Sequence, residues 1–371
     1  MSPFVENQSP VASVSRRESN LLPAPLARVL ITGGTGFIGK HLLERFHRMN
    51  SDVRVAVRPG GRGRLPALSG LHVHEGPMSR ADDWRRAVDG VDTVIHLAGA
   101  TAGTRAELLQ VNRDITRALS QACSENSNPP RLIYISSLSA AGPSDGTRHR
   151  APSDRAQPVS NYGQTKLEGE WAALAFCDRV PVTILRPGIV FGSGDQELMR
   201  LVDSIARWGI NPMAGFHDPR IGFVHIEDLI DAILAAAIHG RTCVGPEPHA
   251  EGGRGVYFVS DREFITLAEF AVLMAGGLGR KRVFHLRIPL PIVWSAAWMS
   301  EQAGRWMGRR STFNPDKIRE ASCDGWTCDT ESTERELSWR PAIQLAQRLH
   351  QFASMHGARG RSSAGARLVR R

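Results

Sequence analysis

Short apolar runs alternate with longer amphipathic stretches through the first half of the chain. The apolar runs have the length of buried strands and cover residues 28–32, 53–57, 71–74, 93–98, 132–136 and 182–185. Helical periodicity follows the first run as far as Met49 and recurs at residues 82–88, 105–124 and 162–176. Strands that alternate with helices of this length predict a parallel sheet covered on both faces.

The pattern becomes irregular after about Gly192, where Pro and Gly interrupt longer helical stretches. These stretches cover residues 267–278, 290–307, 333–337 and 345–355. We therefore predict an α/β fold, a Rossmann-type doubly wound parallel sheet with a smaller, mostly helical C-terminal cap that binds substrate. The cofactor domain is expected over residues 27–192, and the cap, with segments that return to the sheet, over residues 193–356.

The two ends of the chain lack both periodicities. Residues 1–26 and 357–371 are rich in Ser, Gly, Pro and Ala and are predicted to be disordered arms. The second arm is basic: it has five arginines and no acid, so it carries five of the nine net positive charges of the chain. The remaining charge is unremarkable for an enzyme that binds phosphates, and we expect no nucleic-acid partner.

Membrane and metal signals are weak. No apolar stretch reaches the ~18 residues of a membrane-spanning helix, and the first residues lack the apolar run of a signal peptide, so we expect a cytoplasmic protein. The five cysteines are scattered, and Cys323 and Cys328 are separated by four residues, not two. No metal site is predicted.

The first chemical signal is the segment TGGTGFIG at residues 32–39, between the first strand and the first helix. Its glycines Gly33, Gly36 and Gly39 have the spacing of a turn in which backbone N–H groups approach a pyrophosphate at a helix N-terminus. A glycine-rich turn without a ligand is the alternative, but the strand and helix on either side favour a dinucleotide.

The end of the second strand bears on the choice of dinucleotide. An acid about 20 residues after the glycines would bind the ribose 2′-hydroxyl of NAD, whereas arginine suits the 2′-phosphate of NADP. Arg58 stands at this strand end, with Arg62 and Arg64 close behind and no acid. NADP(H) is therefore favoured over NAD(H), although Arg62 and Arg64 would equally suit a solvated loop.

The catalytic signal lies between the fifth strand and the helix that follows it. Tyr162 and Lys166 are at i and i+4, on one helix face, 25 residues beyond Ser137. An ammonium group near a phenol lowers the phenol pKa from ~10 toward the working pH and so makes a proton-transfer group. By itself this spacing is common on solvated helices.

The motifs occur together in one order: TGGTGFIG, His96-Leu-Ala-Gly99, Asn112, YISS, YGQTK and RPGIVFG at residues 186–192. This set resembles the extended short-chain dehydrogenase/reductase superfamily over roughly residues 27–350. The segments YISSLSAAGP and LRPGIVFGSGD are most similar to those of its 3β-hydroxysteroid dehydrogenase and dihydroflavonol reductase branch. Nucleotide-sugar epimerases and dehydratases usually carry Asn where Gly188 stands, so the resemblance favours a reductase or alcohol dehydrogenase.

The resemblance implies roles for three catalytic residues. Tyr162 would be the acid/base, Lys166 would bind the nicotinamide ribose and lower the pKa of Tyr162, and Ser137 would hydrogen-bond the substrate oxygen. Ser137 is preferred to Ser136 by its distance from Gly142. The reaction would be hydride transfer between the nicotinamide and a carbonyl carbon.

The full cofactor-binding prediction combines the glycine turn, the arginine and the resemblance. It comprises Gly33, Thr35, Gly36, Phe37, Ile38, Gly39, Arg58, Leu97, Ala98, Gly99, Asn112, Tyr162, Lys166, Pro187 and Val190. A structural role suits Asn112 as well as a catalytic one. The superfamily often reads Gly-Asp-Leu after the third strand, where the Asp contacts adenine, but this chain has Pro77 at that position, so that contact is lost.

Two further features of the second half have more than one interpretation. His225 is expected to be a packing residue that begins a helix of the cap, rather than an acid/base. The apolar run at residues 288–299 would be, in order of preference, a core helix, a wall of a lipophilic substrate pocket, or a peripheral membrane contact near Arg309 and Arg310.

Three functions remain open. The favoured one is an NAD(P)-dependent oxidoreductase, expected to be a homodimer, that acts on the carbonyl or hydroxyl of a lipophilic small molecule of steroid, flavonoid or β-keto type. The second is a nucleotide-sugar epimerase or dehydratase with tightly bound NAD. The third is a non-catalytic NAD(P)-binding protein, whose usual mark is loss of the Tyr or Lys that this chain retains.

Overall fold

The computed structural model describes residues 26–307, 311 and 313–368, so the predicted N-terminal arm lies, except for Leu26, outside the described residues. The strands are β1 (Arg28–Thr32), β2 (Asp52–Val57), β3 (Leu71–Glu75), β4 (Thr93–His96), β5 (Arg131–Ile135), β6 (Val182–Pro187), β7 (Ile189–Phe191), β8 (Ile210–Ala214), β9 (Arg220–His225), β10 (Val256–Val259), β11 (Phe264–Ile265), β12 (Phe284–Ile288) and β13 (Gly325–Trp326). The helices are α1 (Phe37–Arg48), α2 (Ala81–Val88), α3 (Arg105–Leu109), α4 (Ile115–Glu125), α5 (Leu138–Ala141), α6 (Asn161–Leu174), α7 (Gln196–Trp208), α8 (Ile226–His239), α9 (Leu267–Gly277), α10 (Leu290–Trp306), α11 (Pro315–Ala321), α12 (Glu331–Leu337) and α13 (Leu345–Leu368).

The central sheet confirms the predicted Rossmann-type architecture. Its seven strands are all parallel and stand in the order β10-β6-β5-β4-β1-β2-β3. The strand order reverses at β1, which pairs with β2 on one side and β4 on the other. In an open parallel sheet, ligands bind in the crevice at such a reversal, at the carboxyl ends of the strands.

Helices cover both faces of the sheet, as the near-continuous apolar strands require. On one face, Phe46 of α1 and Ile233 of α8 are fully buried in one apolar cluster. On the other face, Trp84 of α2, Leu119 of α4 and Leu174 of α6 are buried in a second cluster. These two clusters fix the positions of the strand ends that carry the predicted site.

Segments from the second half of the chain complete this domain. Strand β10 forms one edge of the sheet, and α8 packs against α1 in the first cluster, where Leu337 and Trp339 are also buried. The Trp339 indole N–H donates to the Asp228 carbonyl, 2.9 Å away. His225 begins a helix, as predicted, but that helix, α8, covers the sheet and does not belong to the cap.

The remaining second half forms a separate apolar cluster around Phe223, Phe270 and Met274, with α7, α9 and α13 packed around it. Two small sheets belong to this region: β11, β9, β13 and β7 form one, and β12 and β8 the other. The last helix continues to Leu368, although residues 357–371 were predicted to be disordered. Adding residues to an existing helix costs far less than starting one, and α13 starts on the buried Leu345 and Leu349. Residues 369–371 lie outside the described part.

Helix α10 is buried on one side only. Val293 and Ala297 pack against α11, whereas Trp298, Met299 and Trp306 are 58%, 64% and 90% exposed. The preferred interpretation of the apolar run at residues 288–299 as a core helix therefore holds for one face of α10, because α11 covers only that face. Arg309 and Arg310 lie outside the described residues. In the part of the chain that the structure describes, no helix combines the length and apolar character needed to cross a membrane.

Candidate active site

A cavity lies at the strand reversal and is called here the strand-end cavity. It is lined by Thr32, Gly33, Thr35, Gly36, Ala56, Val57, Arg58, Gly61, Arg64, Met78, Trp84, Leu97, Ala98, Gly99, Val111 and Ile115. These residues follow β1, β2, β3 and β4 or cover their ends. Two of the three sequence-predicted glycines, Gly33 and Gly36, therefore meet Arg58 and the 97–99 segment in one place.

The three glycines of the turn have different surroundings. A side chain at Gly33 would lie 2.7 Å from the Ala98 nitrogen, and Gly33 has φ +74°, so close approach and backbone conformation both require glycine. A side chain at Gly39 would lie 2.2 Å from the Gly33 oxygen. A side chain at Gly36 would meet only that oxygen, at 3.3 Å, and Gly36 borders the strand-end cavity.

The N-terminus of α1 faces this cavity without a capping side chain. Gly36 is the N-cap, no side chain bonds to the first turn, and that turn holds no acid. Unpaired N–H groups and the partial positive charge at a helix N-terminus favour an anion there. A pyrophosphate fits this end of the cavity, with Gly36 leaving the space that a side chain would fill.

The loop after β2 supplies two of the three predicted arginines. Arg58 and Arg64 line the strand-end cavity, but Arg62 does not appear among its described lining residues. Glu75, at the end of β3, accepts a hydrogen bond from the Gly60 N–H at 2.6 Å and so ties down this glycine-rich loop. Sequence reasoning missed Glu75, because only the pairing of β2 with β3 brings it to the loop.

Apolar side chains form the far wall of the strand-end cavity. Met78 follows β3, and the buried Trp84 of α2 donates its indole N–H to the Met78 carbonyl at 3.2 Å. The acid that relatives of this superfamily often place here is replaced by Pro77. An adenine ring in this position would therefore meet apolar surface.

The end of β4 is held by a buried polar network. His96 contacts the Thr32 hydroxyl through Nδ1 at 2.6 Å and the Thr116 hydroxyl through Nε2 at 3.0 Å. Burial, with Lys166 as a smaller contribution, lowers the pKa of His96 to about 3, so the ring is neutral near pH 7. The network fixes the backbone from which the 97–99 segment leaves the sheet.

Asn112 occupies a π-helical turn, Gln110–Asp114, between α3 and α4. Its buried amide donates to the Ala100 carbonyl and the Thr165 hydroxyl, both at 3.0 Å, and accepts from the Ala100 N–H at 2.8 Å. The side chain thus joins the loop after β4 to α6. This structural role is visible in the geometry, and the predicted cofactor contact of Asn112 stays a prediction.

A second cavity, of about 510 Å³, lies between the strand ends and the cap and is called here the cap cavity. Its lining includes predicted residues Ser137, Tyr162, Pro187, Val190 and Ile38. Most of its other walls are apolar and come from Ile135, Leu138, Ile189, Leu198, Leu201, Met213, Ala214, Pro219, Ile221, Leu267, Ala321 and Trp326. Its other polar and charged groups come from Thr101, Ser136, Ser139, Asp195, His217, Asp218, Lys317 and Glu320.

The two serines after β5 are distinguished by their hydrogen bonds. Ser136 is buried and donates its hydroxyl to the carboxylate of Glu170. Ser137 is the N-cap of α5, and its hydroxyl oxygen accepts from the Ser139 N–H at 3.1 Å. That bond leaves the Ser137 hydroxyl hydrogen for another acceptor. The geometry therefore favours Ser137 over Ser136 as a group that can reach a ligand.

Tyr162 lies in the first turn of α6, where α11 of the cap contacts this helix. Ser160 is the N-cap, with its hydroxyl accepting from the Gly163 N–H at 2.9 Å. Asp316 of α11 accepts from the Tyr162 backbone N–H at 3.1 Å, and Glu320 of the same helix accepts from the Ser160 hydroxyl at 2.7 Å. Carboxylates at a helix N-terminus are stabilising, so α11 holds the start of α6 in place.

Lys166 is one turn further along α6 and is 3% exposed. Its Nζ donates to the Ile135 carbonyl at 2.6 Å and lies 4.4 Å from the centre of the Tyr134 ring. A side chain at Gly99 would lie 3.7 Å from this Nζ, so Lys166 is adjacent to the strand-end cavity. Burial lowers the pKa of Lys166 to about 8, and Glu170 acts in the opposite direction.

Glu170 and Arg186 form a buried ion pair behind the site. Arg186 donates through Nε at 2.9 Å and through Nη2 at 2.6 Å, and both side chains are at most 1% exposed. The pair joins α6 to β6, and Glu170 also receives the Ser136 hydrogen bond. Sequence reasoning missed it, although a glutamate four residues after Lys166 on a buried helix was a usable signal.

Some predicted residues do not line either cavity. Phe37, Gly39, Asn112 and Lys166 are absent from the described lining of both. Phe37 packs edge-on against His41, with ring centres 5.6 Å apart. His225, also outside both linings, is the N-cap of α8, as its structural interpretation requires. Among the described residues, no three His, Cys, Asp or Glu side chains gather as a metal site.

Comparisons with known proteins agree with this arrangement. The NAD dependent epimerase/dehydratase family matches residues 29–248. A 3β-hydroxysteroid dehydrogenase/Δ5→4-isomerase of Mycobacterium tuberculosis is 31% identical over 295 residues, covering 73% of this chain and 75% of that protein. A UDP-glucose 4-epimerase of Vibrio cholerae is 27% identical over 341 residues, covering 88% of this chain and 94% of that protein.

Among solved structures, a dTDP-glucose 4,6-dehydratase from Streptomyces venezuelae with NAD bound superposes with a TM-score of 0.68. It is 19% identical and covers 88% of this chain and 95% of that chain, which shows a common fold. The family match extends over more than half of this chain and includes the glycine turn, Ser137, Tyr162 and Lys166. The chain belongs to the NAD dependent epimerase/dehydratase family.

Proposed function

We propose that this enzyme is an oxidoreductase that reduces or oxidises a lipophilic small molecule with a nicotinamide cofactor. The observation that carries the proposal is the cap cavity: it combines Ser137 and Tyr162 with largely apolar walls. Ile38, Pro187 and Val190 line the same cavity, so the nicotinamide end of a cofactor bound by the glycine turn would reach it. The similarity to a 3β-hydroxysteroid dehydrogenase supports a substrate of this kind.

In this proposal the protein binds the cofactor, orients the substrate and transfers a proton. The bound nicotinamide supplies or accepts the hydride. Tyr162 gives its phenolic proton to the substrate oxygen during reduction or takes it during oxidation, and Ser137 donates a hydrogen bond to that oxygen. Lys166, beside Gly99 and one turn from Tyr162, binds the nicotinamide ribose and favours the ionised phenol.

We further propose a preference for NADP(H). Arg58 and Arg64 line the cavity next to the β2 end, where the adenosine ribose would lie. Two guanidinium groups there would bind a 2′-phosphate, and Glu75, which would repel it, is engaged by the loop backbone instead. The solved relative named above binds NAD, so this preference distinguishes the present chain from it.

A nucleotide-sugar epimerase or dehydratase is the second candidate, and the similarity to the UDP-glucose 4-epimerase favours it. Gly188 is the observation against it. A side chain at this position would lie 2.4 Å from the Gly222 oxygen of β9, so the Asn that sugar-modifying relatives usually carry there does not fit. A non-catalytic role is disfavoured because Tyr162 and Ser137 line one cavity.

The test is consumption of NADPH and NADH, in parallel, with ketones of graded size and polarity. A reductase of lipophilic substrates is expected to oxidise NADPH with bulky apolar ketones and to purify without bound dinucleotide. Copurifying NAD, together with binding of UDP-glucose or dTDP-glucose and no turnover of ketones, would replace this proposal with the epimerase or dehydratase function.

Two proposals concern partners. We propose that the exposed apolar face of α10 makes a peripheral membrane contact, since Ile292, Trp298 and Met299 are more than half exposed there. Cosedimentation with anionic vesicles should fall at least several-fold in a Trp298→Ser, Met299→Ser variant.

We also propose a homodimer in which α6 takes part, because Trp171 on its outer side is 46% exposed. Sedimentation at equilibrium measures the mass.

A further inference from the structure

Helix α11 of the cap brings a second lysine to the catalytic tyrosine. The Nζ of Lys317 lies 5.8 Å from the centre of the Tyr162 ring, and both residues line the cap cavity. Lys166 lies on the same helix as Tyr162, whereas Lys317 is more than 150 residues away in sequence and comes from the substrate side. Tyr162 thus has a cation on α6 and another on α11.

The position of Lys317 is fixed by the contacts that surround it. Its backbone N–H donates to the Asn314 N-cap at 3.1 Å, and its neighbours Asp316 and Glu320 bond to the start of α6. Three hydrogen bonds therefore tie α11 to the turn that carries Tyr162, including one from Asn161 to Asp316 at 3.1 Å. The lysine is presented to the ring by a helix that cannot shift without breaking these bonds.

We propose that Lys317 is an electrostatic positioning residue that stabilises the ionised form of Tyr162 from the substrate side. The proposal rests on the proposed function, in which Tyr162 is the acid/base. A cation near the face of an aromatic ring is attracted to its electrons, and the attraction is greater for a phenolate, whose negative charge extends into the ring. Removal of Lys317 should therefore make the phenol harder to ionise.

Other charged groups near Tyr162 limit the size of the effect. Glu320 lies 3.8 Å from the Lys317 Nζ, and the Lys317 side chain is 34% exposed, so pairing and solvent both weaken its field. The Asp316 carboxylate at the Tyr162 N–H favours the neutral phenol, although Arg319 pairs with it at 3.0 Å. The further charged or titratable neighbours are Lys166 and Glu168 on α6, Tyr134 on β5, and Asp195, His217 and Asp218 across the cavity. Glu168 pairs with Arg105 of α3 and with Arg113 of the π-helical turn.

The chain allows a direct measurement, because it has three tyrosines. Burial raises the pKa of Tyr134 and of Tyr257 well above the ordinary range. In the apoprotein, the tyrosinate absorbance that first appears between neutral pH and about pH 10 should therefore belong to Tyr162. Subtracting a Tyr162→Phe titration isolates it without any substrate.

The experiment compares wild type with Lys317→Met, Lys317→Arg and Lys281→Met. Lys317→Met should raise the pKa of Tyr162 by about 0.5 to 1, whereas Lys317→Arg should leave it within about 0.3 of wild type. Lys281→Met removes the same charge from the loop between α9 and β12 and should leave the titration unchanged. Circular dichroism and thermal unfolding show that each variant folds, and Lys317→Gln replaces Lys317→Met if that variant does not.

Two results would overturn the inference. One is a Lys317→Met titration that coincides with wild type, and the other is the absence of any wild-type transition below about pH 10 that Tyr162→Phe removes. Failure of the proposed function has a different signature, namely turnover that survives Tyr162→Phe. If Tyr162→Phe abolishes turnover but Lys317→Met leaves the titration unchanged, the mechanism stands and the role of Lys317 does not.

Discussion

The strand-end cavity and the cap cavity are built in different ways. Backbone and small residues at consecutive strand ends form much of the first, and a side chain at Gly33 or Gly39 would collide with neighbouring backbone. Side chains from separate parts of the chain, among them β8, β9, α7 and α11, form much of the second. Changes in the first cavity should therefore act on cofactor binding and folding, and changes in the second on substrate choice.

Replacing Tyr162 by Phe tests the proposed proton donor in the cap cavity. Turnover should fall at least ~100-fold because the proton donor is lost, while the dissociation constant of the cofactor changes little. Measurement of kcat checks the turnover, and fluorescence titration checks the dissociation constant of the cofactor. Tyr257→Phe removes a hydroxyl that bonds Arg241 and Glu336 away from the cavities and serves as the control. Unchanged turnover in Tyr162→Phe would refute the mechanism.

Alanine at Gly39 should reduce stability, whereas alanine at Gly36 should reduce cofactor binding. Gly39→Ala forces a side chain against the Gly33 carbonyl and should lower the free energy of unfolding by about 2 to 4 kcal/mol. Gly36→Ala meets only one atom and should leave the apoprotein nearly as stable, but weaken cofactor binding at least tenfold, because the methyl group enters the pyrophosphate position. Denaturant unfolding and cofactor titration separate the two. Equal losses of stability would contradict this distinction.

The cap cavity can be narrowed at Ala214, which lies on β8 and lines it. Ala214→Leu should reduce kcat/KM for a bulky ketone about tenfold more than for a small one, because the added atoms occupy substrate volume. The KM for the cofactor should stay the same. A uniform loss for large and small ketones would show that the cavity wall at Ala214 does not select substrates by size.

Arg58→Ala tests whether the strand-end cavity prefers NADPH to NADH through this side chain. Loss of a charge-assisted hydrogen bond to the 2′-phosphate should weaken NADPH about tenfold and NADH less than about twofold. Arg62→Ala, a neighbouring arginine outside the described cavity lining, is the matched control. If Arg58→Ala weakens both cofactors equally, Arg58 does not distinguish them.

The buried Lys166 predicts a modest dependence of stability on pH. Its pKa is about 8 in the folded protein and about 10.5 when exposed, so between these values the unfolded chain binds more protons. The free energy of unfolding should therefore rise with pH across this window, by about 1 to 3 kcal/mol. Urea unfolding of wild type and Lys166→Met at pH 8 and pH 10 measures the difference. An equal pH dependence in both proteins would rule out this contribution.

The first half of the molecule was predictable because its signals are local. The Gly33–Gly39 spacing, the strand lengths and the i, i+4 pair of Tyr162 and Lys166 each constrain a short segment. Parallel pairing of neighbouring strands then brings their carboxyl ends together. For this reason the predictions of the sheet, of the glycine turn and of the place of Ser137 after the fifth strand agree with the structure.

The second half was less predictable because its contacts are long-range. Nothing near Lys317 in sequence indicates that it lies over Tyr162, and Trp339 gives no local sign that it packs on the sheet beside α8. The apolar run of α10 was interpreted first as core because periodicity reports apolar character and not the presence of a neighbour. Its exposed face shows that the neighbour is missing on one side among the described residues.

The late return of the chain to the sheet has a consequence for biosynthesis. Strand β10 and Trp339 join a sheet whose first six strands end at Pro187. As the chain leaves the ribosome, the β6 edge and the surface later covered by α8 remain exposed until those residues have been made. An open strand edge beside apolar surface is prone to aggregation. Yield of this protein in cells should therefore depend on chaperones that bind nascent chains, and a fragment ending near Gly192 should aggregate.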